Sequence, residues 1–270
     1  MNRIIFLPAV VLMLAHSAHG ADIRVSDRDT QGLIRALQQA NKSAQQTTIQ
    51  LARHGLYTLT EAADASRQIG LPAFKGNVVI EGNQAEIRRY SKADFTLIVV
   101  GKNAQVKIRD LTLAEGTEGA ILNHGKLELR RVKVVDNIAR HHPAIIENYG
   151  EIHIIDSQIS FNQLDGAQRD AGTLVNYATL HIDGTQIAHN WISRRYDSLY
   201  AASAVLNYGK LNLRSVQINQ NTAELGENEH VLGAIVNLGT GLYTGTGVEL
   251  SDNEPPTSNQ VAVTMARVAQ

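Results

Sequence analysis

Residues 120–129 read Ala-Ile-Leu-Asn-His-Gly-Lys-Leu-Glu-Leu: an apolar run, an Asn, a tight turn and an alternating strand. The same order returns around Asn148, Asn176, Asn207 and Asn237, with Gly150, Ala178, Gly209 and Gly239 repeating the small residue that stands two places after Asn123. A second Asn follows 14 residues later at Asn137, Asn162, Asn190 and Asn221, and 16 later at Asn253. Between the two Asn the apolar positions keep station. Leu127 and Leu129 correspond to Ile152 and Ile154, to Leu180 and Ile182, and to Leu211 and Leu213. A period-two pattern places such residues on one face of a strand.

The spacing between successive first Asn is 25, 28, 31 and 30 residues, so the length variation falls between the second Asn of one unit and the first strand of the next. Repeats of this length built from alternating strands predict a β-solenoid. Each constant segment holds two strand-like runs, and a third apolar position precedes the first Asn at Ile121, Ile146, Leu174, Val205 and Ile235. Three short strands per coil specify an all-β parallel β-helix. About eight or nine coils at roughly 4.8 Å each would make a rod about 40 Å long. Asn123, Asn148, Asn176, Asn207 and Asn237 are expected as structural turn residues, because Asn tolerates left-handed backbone and stacked amides can bond from coil to coil.

Upstream, residues 30–43 show an amphipathic helical pattern with Leu33, Ile34, Leu37 and Ala40 on one face and Asp29 or Thr30 as N-cap. A helix there would cover the open end of the strand stack. The organisation expected is residues 1–21 as a signal peptide, 22–76 as N-terminal cap and first strands, 77–253 as the β-helix, and 254–270 as a C-terminal tail or cap. The signal reading rests on Arg3, an apolar run over residues 4–15, and the small-residue exit Ser17-Ala18-His19-Gly20-Ala21. It implies an exported protein, periplasmic or secreted, without a membrane span once the signal is removed.

Composition narrows the chemistry. Loss of Arg3 leaves 25 − 1 = 24 basic residues against 26 acidic, a near-neutral balance that disfavours a nucleic-acid partner. No cysteine is present, which removes disulfides, thiolate metal sites and a thiol nucleophile. His141-His142 and the Glu224, Glu227, Glu229, His230 group lack metal-ligand spacing. No metal and no cofactor are implied.

The motifs Gly-Ala-Ile-Leu-Asn-His-Gly, Ala-Val-Leu-Asn-Tyr-Gly and Gly-Ala-Ile-Val-Asn-Leu-Gly resemble bacterial right-handed parallel β-helix repeat proteins. More narrowly, they are similar to the repeats of polymorphic outer-membrane protein passengers. The segments from Gly55 (Gly-Leu-Tyr-Thr-Leu-Thr) and Val78 (Val-Val-Ile-Glu-Gly) resemble the leading part of the same proteins. That resemblance implies a right-handed β-helix and leaves adhesion, ligand binding and polysaccharide chemistry open. No segment of residues 22–270 is expected to act as the membrane-embedded translocator of those passengers.

The variable segments, residues 138–143, 163–171, 191–202 and 222–231, leave the coil at one corner and are where a repeat scaffold places function. The most distinctive holds Trp191, the only Trp, with Arg194, Arg195, Tyr196 and Tyr200. Exposed aromatics stack on sugar rings and arginine forks grip carboxylate or sulfate. With Asp165, Asp170 and Asp197 on adjacent loops, these residues are the candidate ligand-binding set, for a polysaccharide or cell-surface ligand. The same carboxylates would serve a polysaccharide lyase, hydrolase or epimerase, but no catalytic motif of such enzymes is present. A purely structural role is the third reading. His124, Tyr149, Tyr177, Tyr208 and Leu238 follow the first Asn and form a second stripe, one per coil.

Overall fold

The structure, a computed structural model, describes residues 21–165, 170–193, 200–224, 230–254 and 261–264. Residues 1–20, which carry most of the signal pattern, lie outside them. The chain winds into a parallel β-solenoid of about eight turns; every pairing between its described strands is parallel, and the register holds from one turn to the next except for shifts after Glu81, Gly172 and Ala201.

One turn shows the plan. Ala144–Asn148 forms the first side, Glu151–Ile155 the second, Gln158–Ser160 the third and Gln163–Asp165 the fourth. The first three sides are the strands expected from the repeat. The fourth is an addition, and it shortens the loops. Its strands Ile138–Ala139, Gln163–Asp165, Trp191–Ser193 and Thr222–Ala223 form a sheet of their own. They exist because Ala139, Leu164, Ile192 and Ala223 point inward and are buried, a fourth core column hidden at the start of segments whose sequence reads as loop.

Each strand face follows its alternation. Leu127, Ile152, Leu180 and Leu211 stack in one buried column, and Leu129, Ile154, Ile182 and Leu213 in the next. Burying such aliphatic side chains is worth about 1.5–3 kcal/mol each, so stability rises with every turn added. At the N-terminal end the helix Thr30–Ala40 buries Leu33, Ala36, Leu37 and Ala40. Asp29 caps it by accepting from the Gly32 N–H at 2.7 Å. It stops at Ala40 rather than Ser43 because Asn41 is tied elsewhere: its amide donates to the Ala73 carbonyl and accepts from the Lys75 N–H.

The Asn residues do not take the left-handed backbone expected of them. Left-handed φ falls instead on Asp110, Arg131, Asp156, Gly184, Ser215 and Gly247, between the second and third sides, and on Asp136, Phe161, His189, Gln220 and Asp252, just before the second Asn. The first Asn point inward and act through their side chains. Oδ1 of Asn148 accepts from the Gly150 N–H at 3.0 Å, closing the turn, while Nδ2 donates to Oδ1 of Asn176 in the next turn at 2.7 Å. Asn123 bonds to Asn148 at 2.8 Å, Asn176 to Asn207 at 2.6 Å and Asn207 to Asn237 at 2.5 Å. The second set, Asn137 to Asn162, Asn190, Asn221 and Asn253, forms a parallel buried ladder at 2.8–3.0 Å. The small residue after the turn has a separate cause. A Cβ on Gly150 would overlap the Gly125 backbone of the preceding turn.

The tail also joins the stack. Val261–Thr264 pairs in parallel with His230–Leu238, extending the first side by one more strand.

Candidate ligand-binding face

The outer surface of the first side is unlike the other outer surfaces. Leu122, Glu147, Val175, Leu206 and Val236 stand in one register column on it. Val175, Leu206 and Val236 are fully buried, forming a second apolar cluster outside the main core with Ala144, Ala202 and Leu238. Tyr177, Tyr200 and Tyr208 pack against it. Glu147 is the one charged member of the column and is only 6% exposed.

Beside this column runs the aromatic stripe. The rings of His124 and Tyr149 stack at 5.1 Å, Tyr149 and Tyr177 at 4.6 Å, and Tyr177 and Tyr208 at 5.2 Å, all within 11° of parallel. Stacking uses up the ring faces of the inner members, so they offer a ligand only ring edges. His124 ends the stack. The pairing of Val100 with Asn123 puts Gly101 at the equivalent position of the previous turn, and a glycine has no side chain to continue the column.

At that end a cleft of about 480 Å³ opens between Leu122, His124, His141, His142, Pro143, Glu147 and Tyr149. Two imidazoles form much of its wall, each resting on a carboxylate. His141 Nδ1 lies 2.6 Å from Glu118 Oε1, and the His141 backbone N–H donates to Glu118 Oε2 at 3.1 Å. His142 Nδ1 lies 3.3 Å from Glu147 Oε2, and the Tyr149 hydroxyl donates to Glu147 Oε1 at 2.5 Å. The hydrogen bond to Glu147 raises the His142 imidazole above its ordinary value, outweighing burial. Burial pushes the Glu147 carboxyl up, but the hydrogen bonds from His142 and Tyr149 hold it below the usual carboxylate value.

The candidate residues from the sequence divide. Asp170, Tyr200 and Tyr208 come together on this face: Asp170 Oδ1 accepts from the Tyr200 N–H at 3.1 Å, and Oδ2 accepts a short hydrogen bond from the Tyr208 hydroxyl. Burial, then the Asp170 carboxylate, pushes the Tyr208 hydroxyl well above its ordinary value. Both Asp170 oxygens are thus engaged within the protein. Trp191 and Asp165 sit on the fourth side, in strands rather than loops; Trp191 pairs in register with Gln163, and Asp165 with Ser193. Trp191 is 38% exposed. Arg194, Arg195, Tyr196 and Asp197 lie outside the described residues.

Glu118 and Glu147 are not among the candidates that the sequence suggests, and His141-His142 enters there only as a pair without metal-ligand spacing. Glu147 carries a usable signal, as the one acid in an apolar register column. The Glu118–His141 contact spans 23 residues across a corner and has none. Among the described residues, no group of three or more His, Asp or Glu is arranged to hold a metal ion, and no helix is long and apolar enough to cross a membrane.

Compared with protein-family models, curated proteins and solved structures, the chain matches none.

Proposed function

We propose that the protein is an exported binding module, and that the outer surface of the first side holds a glycan at the head of the aromatic column. The observation that carries this reading is the cleft itself. Its volume of about 480 Å³ falls within the range of small-ligand sites, and its wall combines ring surfaces with convergent hydrogen-bonding groups. His124 supplies a terminal ring for stacking, and the Tyr149 ring edge and the two further imidazoles supply polar contacts. Export is supported by the charged start, apolar run and small-residue exit of residues 1–21.

The test is a glycan array followed by calorimetric titration of each hit with wild type and His124→Ala. His124 is exposed, so its truncation spares the fold. Binding in the millimolar range or tighter, weakened about tenfold or more by the substitution, is the expected result. An array without hits removes the glycan reading, and hits indifferent to His124 move the site elsewhere.

A further inference from the structure

The paired imidazoles say more about the ligand than the cleft does, provided the glycan-binding reading holds. We propose that the cleft takes the anionic group of an acidic sugar, a carboxylate or a sulfate, between His141 and His142, and takes it with the imidazoles protonated.

Three features of the geometry support this. First, each ring commits Nδ1 to a carboxylate behind it, Glu118 for His141 and Glu147 for His142. That leaves Nε2 of each ring as its remaining hydrogen-bonding group. Second, exposure differs sharply within each pair. The side chains of His141 and His142 are 71% and 35% exposed, against 0% and 8% for Glu118 and Glu147. Solvent therefore meets imidazole, with the acids behind it. Third, a carboxylate held beside an imidazole favours the imidazolium form, and His142 shifts in that direction. Protonated, each ring presents an Nε2–H donor, which suits an anion and repels a cation.

The ionisable groups around the cleft set the pH dependence. They are His124 and Glu118 from the turns flanking Ile121–Asn123, His141 and His142 from the corner before Ala144–Asn148, Glu147 from that strand, and Tyr149 after it. Arg140, next along the chain, has its guanidinium on Asp94 at 2.8 Å. With all imidazoles protonated, three positive charges face two carboxylates, a sum of +1; with all neutral, the sum is −2. The cleft thus attracts an anion when its imidazoles are protonated and repels one when they are neutral.

Calorimetric titration of the full chain with three tetrasaccharides, neutral galactose, galacturonate and sulfated galactose, at pH 5.5 and 8.0 tests this. The expected result is that at least one acidic oligomer binds about tenfold tighter at pH 5.5 than at pH 8.0, and about tenfold tighter than the neutral one at pH 5.5. Whether galacturonate or the sulfated oligomer binds tells carboxylate from sulfate. His142→Gln keeps a donor toward Glu147 and should flatten the pH dependence, as should His141→Gln. Lys210→Gln, a charge removed from the second side, should leave it intact; equal flattening there would assign the effect to net charge and overturn the site. If the neutral oligomer binds as well as the acidic ones at both pH values, the anion site is refuted while glycan binding stands. If none of the three binds while the array shows other, neutral hits, the anion site is refuted in the same way. If no glycan binds by either method, both fail. The ring resonances of His141 and His142, followed by NMR with and without galacturonate, give a readout independent of affinity. Rings that do not respond to an oligomer that binds overturn the assignment.

Discussion

Asn148 and Tyr149 are neighbours in sequence and each belongs to a column that runs turn to turn, yet the two columns obey different rules. The Asn column is interior: Asn123, Asn148, Asn176 and Asn207 are at most 1% exposed, and each amide bonds to the next. The aromatic column is exterior and changes along the rod, from His124 through three Tyr to Leu238. A buried amide without its partners has no water to turn to, so identity is enforced at every turn. A ring stacked at the surface can be exchanged for another flat or apolar group at small cost. The inner column holds the rod, and the outer one can diverge toward a ligand.

Truncating one member of each column gives the widest contrast. Asn176→Leu removes the acceptor of the Asn148 amide and of the Ala178 N–H, and the donor to Asn207 Oδ1 and the Lys210 carbonyl. It should cost about 3 kcal/mol in urea unfolding. Tyr177→Leu, one position further along the chain, keeps an apolar side chain against the Val175 cluster and gives up its two ring stacks, at about 1 kcal/mol. Equal costs would break the distinction between inner and outer columns.

The outer surface is not uniformly tolerant, because at Glu147 it buries a charge. The raised His142 contributes stability that is fully present below about pH 6.5 and is lost as pH rises through its folded value. The lowered Glu147 contributes stability that is present above about pH 4.5 and is lost as pH falls through its own folded value. Both contributions are in place between those limits. The difference in melting temperature between wild type and Glu147→Gln should therefore be greatest at about pH 4.5–6.5 and shrink on either side. A difference flat from pH 4 to 8 would show that the pair is not coupled to folding. His142 remains partly solvated, which keeps the expected amplitude small.

These columns also explain what the sequence can and cannot convey. The period and both Asn series are legible, because constant spacing survives any change in the intervening loop. The fourth side is not. A strand of two or three residues with one inward side chain, such as Ile192 between Trp191 and Ser193, is too short to show alternation. The left-handed backbone expected of Asn follows from its tolerance of that region, weighed without its amide. Once that amide closes the turn through the residue two places on, the backbone has no need of the left-handed region. Pairings such as Glu118 with His141 arise only when a corner is folded, so no local pattern announces them. The Asp170–Tyr208 bond, 38 residues apart, is of the same kind.

The left-handed corner between the second and third sides supplies the smallest and most discriminating effect. Its column reads Asp110, Arg131, Asp156, Gly184, Ser215 and Gly247, all with positive φ. Here position alone dictates conformation, and side chains are tolerated at a cost. Some of them recover part of it: Arg131 forks onto Asp110 at 2.6 and 2.8 Å, and this pairing holds the Asp110 carboxyl below its usual value. Ser215, with φ of 52°, is exposed and flanked in the column by two glycines, so it is the place to measure the backbone term by itself. Left-handed backbone costs a side-chain-bearing residue about 1–2 kcal/mol. Glycine avoids that but gives up about 0.4–1 kcal/mol through the freer unfolded chain. Ser215→Gly should therefore stabilise the protein by about 0.5 kcal/mol, read as a higher urea midpoint with unchanged slope. A loss of stability would mean that Ser215 contributes more than backbone shape, and that this corner, like the Asn column, selects its side chains.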